Sequence, residues 1–123
     1  MKQGLIKLII FMAMQLMITG VQASVEIKGR VLNAPNPFKF SQGTTLVYNL
    51  THAADVQLVM YDVRGQMILN RSFSAGSNGG NSNRNQVVIS QHDFNGFGLS
   101  NGVYFYVLIT NGKVLGKGKM AVI

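Results

Sequence analysis

The sequence predicts an all-β domain, a seven-stranded antiparallel sandwich made of two sheets. Three observations carry that prediction. Short runs rich in Val, Ile, Leu, Tyr and Phe recur along the chain, several of them alternating apolar with polar residues. Clusters of Pro, Gly, Asn and Asp separate the runs. No stretch sustains a helical apolar period between capping residues, so little helix is expected.

The first 23 residues stand apart from this pattern. Lys2 and Lys7 make a short basic start, residues 8–18 (LIIFMAMQLMI) are uncharged and apolar, and Val21-Gln22-Ala23 leads into Ser24. This is the layout of a secretory signal peptide (residues 1–23), with cleavage expected after Ala23. A spanning helix needs about 20 apolar residues, more than this run offers, so no membrane span is expected once the leader is cut. The remainder, residues 24–123, reads as one domain with nine basic and four acidic side chains and no Cys. An exported domain of this size without disulfides must rely on its core, which favours a bacterial envelope or surface protein over the disulfide-stapled secreted scaffolds.

At the start of the domain, Val25, Ile27, Gly29 and Val31 alternate with Glu26, Lys28 and Arg30, the pattern of a half-buried strand. Pro35 and Pro37, flanking Asn36, lack backbone donors and fix φ, so they end this strand and send the chain to the other sheet with Phe38 as an apolar plug. Residues 44–50 (TTLVYNL) and 56–61 (VQLVMY) are the next two strands. Asp62-Val63-Arg64-Gly65 closes a turn, Asp62 bracing it through a side-chain oxygen and Gly65 taking a left-handed conformation. Residues 66–73 make the fourth strand. Residues 74–85 (SAGSNGGNSNRN) are Ser, Gly or Asn at ten of twelve positions; with few side chains to pack, they are expected to be a mobile connection.

Residues 86–90 and 103–110 are the fifth and sixth strands. Gly102 is expected to remove a side chain where the sixth begins close to a neighbour. Tyr104 and Tyr106 share one face of it, and Val103 and Phe105 the other. Asn111-Gly112 suits a two-residue hairpin turn, which needs positive φ at both positions. In the last strand, residues 114–123, Lys117 and Lys119 share a parity with Lys113, opposite Val114, Met120 and Val122. Seven short strands at this spacing read as an immunoglobulin/fibronectin-III-like sandwich.

From residue 31 onward the motifs also carry a family resemblance. They are Ala34-Pro35-Asn36-Pro37-Phe38, the strand 44–50, Val59-Met60-Tyr61-Asp62-Val63-Arg64-Gly65-Gln66, Leu99-Ser100-Asn101-Gly102-Val103-Tyr104-Phe105-Tyr106, and Lys117-Gly118-Lys119-Met120. In order and spacing they resemble the C-terminal sorting domain (type A) of bacterial type IX secretion cargo, related to the immunoglobulin-like domain of the flagellar hook-capping protein. A Trp-Asp-Gly that hook-capping relatives carry is replaced here by Ile89-Ser90-Gln91. The resemblance implies recognition by the outer-membrane Por secretion apparatus through the C-terminal strands. It also implies an address at the outer-membrane surface, outside the cell or in the periplasm.

Chemistry-bearing residues are sparse. The acids are Glu26, Asp55, Asp62 and Asp93, joined by His52 and His92. His92-Asp93 is the one adjacent pair, and loop hydrogen bonding is expected of it rather than metal binding or catalysis. The chain is therefore expected not to be an enzyme and to hold no metal or cofactor. A basic excess without an Arg-rich stripe gives little phosphate-tracking surface, so nucleic acid is not expected as a partner. The lysines of the last strand are expected to protect a sheet edge rather than dock an anionic surface.

The expected function is that of a non-enzymatic exported module for targeting or protein–protein interaction, partnered by the secretion apparatus or another envelope protein. The alternative is a structural subunit of a surface appendage or hook-cap-like assembly, self-assembling through strand edges. A mature chain starting at Ser24 would leave no room for a passenger, which favours that alternative over a plain sorting tag. A third reading is a ligand-binding module using Phe94, Phe97 and the Asn-rich loop.

Overall fold

The structure, a computed structural model, describes residues 24–123; the expected signal peptide lies outside the described residues. Seven antiparallel strands form among them, β1 (Ile27–Ala34), β2 (Thr44–Leu50), β3 (Val56–Tyr61), β4 (Met67–Phe73), β5 (Asn83–Ile89), β6 (Gly102–Thr110) and β7 (Lys113–Val122), with a 3-10 turn at Gln91–Phe94. One sheet has the order β1-β2-β5 and the other β4-β3-β6-β7. Strands one, two and five thus oppose three, six and seven, the immunoglobulin-like arrangement, except that β4 stays beside β3 instead of crossing to β5. The turn between them explains why. Asp62 Oδ1 accepts from the Arg64 and Gln66 amides, each at 2.9 Å, and Gly65 takes φ +82, so the two strands are held as a tight hairpin.

Alternation decides which side chains face inward. Leu46, Tyr48 and Leu50 of β2 are fully buried, and they belong to one apolar cluster with Leu58 and Met60 of β3, Tyr106 and Leu108 of β6, and Met120 and Val122 of β7. Both sheets therefore contribute to the same core. Phe38 enters that core from the crossing segment and bridges to Val122, as the Pro35-Asn36-Pro37 pattern predicts. The Asn111-Gly112 turn takes φ +47 and +75, the left-handed pair expected of it.

Three expectations are corrected. Val25, Ile27 and Val31 do pack on the core, but Gly29 does not join them: it sits exposed at φ +73 within a bulge between Lys28 and Leu32. Gly102 has no close neighbour, since a β-carbon there would meet only open space; φ +150 is what calls for glycine. Val114 does not face the core with Met120, because the ladder shifts register between Leu108 and Ile109, leaving Leu115 unpaired and turning Val114 outward beside Ile109.

The largest departure is the segment 74–85, which is built rather than loose. Asn85 already belongs to β5, paired with Tyr48, and is fully buried. Its Oδ1 accepts from the Gly79 and Asn81 amides, each at 2.9 Å, and its Nδ2 donates to the carbonyls of Asn81 at 2.9 Å and Asn83 at 3.2 Å. Asn78 pairs its side-chain amide with the backbone of Gln86, donating at 2.7 Å and accepting at 3.1 Å. Polar side chains here do the work that apolar packing does elsewhere, by closing the loop on its own backbone.

The Tyr48 hydroxyl completes the arrangement by donating to the Gly79 carbonyl at 2.6 Å. Burial favours the neutral phenol and pushes its pKa well above the ordinary 10.0, against a smaller opposing pull from the Arg71 charge. Tyr106 is raised in the same direction by burial. The unfolded chain ionises its tyrosines first, so the stability from keeping them neutral is complete below about pH 10 and falls as pH rises beyond it. We expect unfolding midpoints to decline above that pH. Tyr48→Phe is expected to cost about 1 kcal/mol at neutral pH and to flatten the alkaline decline; an equally steep decline in the variant would refute the assignment.

Candidate interaction face

The residues singled out by the sequence gather at one end of the sandwich. Asn36 lies against the last strand, its Nδ2 donating to the Lys119 carbonyl at 3.4 Å and its Oδ1 accepting from the Ala121 amide at 3.0 Å. The Phe38 amide donates to the Ala121 carbonyl at 2.9 Å, and the Ile123 amide to the Phe38 carbonyl at 3.0 Å. Pro35 is held through its carbonyl, which accepts from the Thr44 hydroxyl at 2.7 Å, while Pro37 stays exposed. Gly102 pairs with Val122, and the Tyr104 hydroxyl donates back to the Ser100 carbonyl at 2.7 Å. The Asp62–Gly65 turn sits across a shallow depression from Ser100, Asn101 and Gly102. Only Lys117, opposite Val107, lies farther along the sheet.

That end opens onto the outer face of the four-stranded sheet. Register places Met67, Tyr61, Phe105 and Lys119 in one row across it, and Asn70, Val59, Val107 and Lys117 in the next. Ala121 with Val103, and Gln57 with Ile109 and Val114, extend it above and below. Phe105 is 43% exposed, Val103 40%, Met67 57% and Val114 54%, so a mostly apolar surface meets solvent where a sandwich usually shows polar side chains. Sequence alternation revealed that Val103 and Phe105 share a face. It did not reveal that β3 and β4 bring Tyr61 and Met67 beside them, because strand order and register are set by tertiary pairing.

Charge on this face has one sign. Lys117 and Lys119 project from β7, whereas Lys113, displaced by the bulge, turns toward the N-terminal segment, with its Nζ 4.0 Å from Glu26 and 3.4 Å from Ser24 Oγ. The other three acids are held by contacts of their own. Asp55 accepts from the Ala75 amide at 2.8 Å, Asp62 braces its turn, and Asp93 Oδ2 accepts from the Ser90 amide at 2.8 Å while its Oδ1 lies 3.4 Å from Arg71.

The sheet edges are guarded. The Pro-containing segment covers the C-terminal half of β7, Arg71 donates across to the Val88 carbonyl of β5 at 2.7 Å, and the Gly29 bulge breaks β1. Part of the β7 edge is thus covered by Asn36 and Phe38, which the sequence pattern did not suggest. His92 is exposed beside Asp93, and no group of three or more His, Cys, Asp or Glu gathers among the described residues. Phe94 is buried against Phe40 with ring centroids 5.8 Å apart, the exposed Phe97 lines a shallow depression with Phe40 and His92, and the Asn-rich loop lies at the other end of β5. No helix among the described residues is long and apolar enough to cross a membrane.

Neither a family model nor a curated protein matches the chain. Solved structures do. A Pseudomonas fluorescens alkylpurine DNA glycosylase, AlkC, bound to DNA with an abasic-site analogue, is similar at 18% identity and a TM-score of 0.50, over 81% of this chain and 30% of that one. An immunoglobulin-like protein from Pseudomonas aeruginosa aligns at 15% identity and a TM-score of 0.48, over 85% of this chain and 100% of that one. This chain therefore spans less than a third of the glycosylase, and the likeness is one of fold. It corrects one expectation. A two-sheet fold of this kind forms part of an enzyme, so the sparse acids and the β architecture do not exclude this chain from one.

Proposed function

We propose that this chain is an exported interaction module of a bacterial envelope, resembling a type IX sorting domain and recognised at the end where residues 35–38 embrace the last strand. The observation that carries this reading is convergence. Motif residues far apart in sequence, Asn36 and Phe38 at the entrance and Lys119 to Ile123 at the close, are tied by four hydrogen bonds into one surface. Much of this motif has a backbone role, yet it leaves Val103, Phe105 and the two lysines displayed around it.

Export is the test. Residues 31–123 fused behind a reporter are expected to carry it to the surface of a type IX host, as judged by protease accessibility on whole cells. A fusion that stays periplasmic while a known cargo domain exports normally would overturn the sorting reading. Assembly through strand edges is less well supported, because the β7 edge is partly capped by Asn36 and Phe38 and that of β5 is blocked at Val88 by Arg71.

A further inference from the structure

We propose that the outer face of the four-stranded sheet docks a protein segment that is apolar along its centre and acidic along one border, the border lying over β7. The inference rests on the interaction reading only in requiring a protein partner; it is independent of the route of export. Phe105, Val103 and Met67 supply the exposed apolar ground, and Tyr61 and Val107 fill the space between them. A face of this composition loses water favourably when covered, with aromatic side chains contributing most.

Charge selects the occupant. Lys117 and Lys119 line one border, while the opposite border on β4 carries the uncharged Asn70 and Ser72, with Asn70 accepting from Gln57 at 2.8 Å. The chain has only four acidic residues, each in contact with a backbone amide or a cation; Asp62 and Asp55 border the face at its two ends, beside Val103 and beside Gln57 and Ile109, and neither pairs with a lysine of this face. Among the described residues, none neutralises the two lysines. A carboxylate that pairs with them on docking is the partner's, and the asymmetry fixes where on the partner it lies.

A second copy is disfavoured, since two domains that each carry nine basic and four acidic side chains over residues 24–123 repel. An anionic bilayer fits less well than a protein. The apolar residues lie on the body of a sheet rather than on protruding loops, so little of them would reach below the headgroups.

The experiment pans the purified protein against a displayed library of random dodecapeptides and measures affinities of the enriched peptides by fluorescence anisotropy. Enriched sequences are expected to combine apolar residues with at least two acids. Their affinity is expected to fall about tenfold or more with Lys117→Glu plus Lys119→Glu, and similarly with Phe105→Asp, while the unfolding midpoint of each variant stays near that of the parent. Enriched peptides without acidic bias, or binding indifferent to both variants, would overturn the proposal. So would variant-sensitive binding to phosphatidylcholine vesicles containing phosphatidylglycerol without peptide enrichment, or a dimer abolished by Phe105→Asp. Surface delivery that fails while peptide binding persists removes only the sorting reading, and the converse removes only this one.

Discussion

Asn85→Ala is expected to lower the unfolding free energy by about 3 kcal/mol, read from urea denaturation with the slope unchanged. The side chain makes four hydrogen bonds to loop backbone, and every partner amide or carbonyl lies within residues 79–83. Truncation leaves those groups facing a small void. Each buried group without a partner costs about 1–3 kcal/mol, which outweighs the little apolar area gained. Water entering the vacated space would recover part of this, so the net loss should be well below the sum. Asn85→Asp is the companion variant: it keeps the two accepted bonds, loses the two donated ones and buries a charge, so it should be no more stable than the alanine. A loss below about 1 kcal/mol for alanine would mean that the loop is held by other contacts.

The second large effect belongs to a residue that looks replaceable by composition alone. Gly80 lies in a Gly/Ser/Asn run, yet a β-carbon there would collide with the carbonyl oxygens of Ala54 and Ser74. These are backbone atoms in a tight knot: the Gly80 amide donates to the Ser77 carbonyl at 2.9 Å, and its own carbonyl accepts from Ala54 at 3.1 Å and Gly76 at 3.0 Å. Neither wall can swing aside as a side chain would. Gly80→Ala is expected to cost about 2–3 kcal/mol, in the range of overpacking that moves backbone. Gly76→Ala, where nothing lies nearby but φ is +86, should cost less, through backbone strain alone. Equal losses for the two would point to conformation rather than collision.

These two residues mark what sequence reading misses. Strands β2 and β3 were legible to the residue because alternation agrees with burial in β2 and both are apolar, β-branched-rich runs bounded by turn residues, and the Asp62–Gly65 and Asn111-Gly112 turns were legible because their residue types meet a specific backbone need. The segment 74–85 was not, since a composition poor in apolar side chains says nothing about whether an amide will find four partners across a loop. The lysines of β7 show the same limit from another side. Parity groups Lys113 with Lys117 and Lys119, but one unpaired residue at Leu115 separates them and turns Val114 outward. Of the interaction face, each strand's own parity was readable; the row joining Met67, Tyr61, Phe105 and Lys119 exists only through register between strands.

The clasp between residues 36–38 and the last strand also governs timing. Phe38 occupies the core only with Val122 beside it, and the Gly102 end of β6 gains its partner only from that same strand. A chain emerging N-terminus first from a ribosome or a translocation channel therefore leaves Phe38 and the β7-facing edge of β6 uncovered until β7 has emerged. Contacts closed over so long a stretch form late and slowly. The domain is thus slow to trap itself in a folded state during passage, and its closure waits for β7.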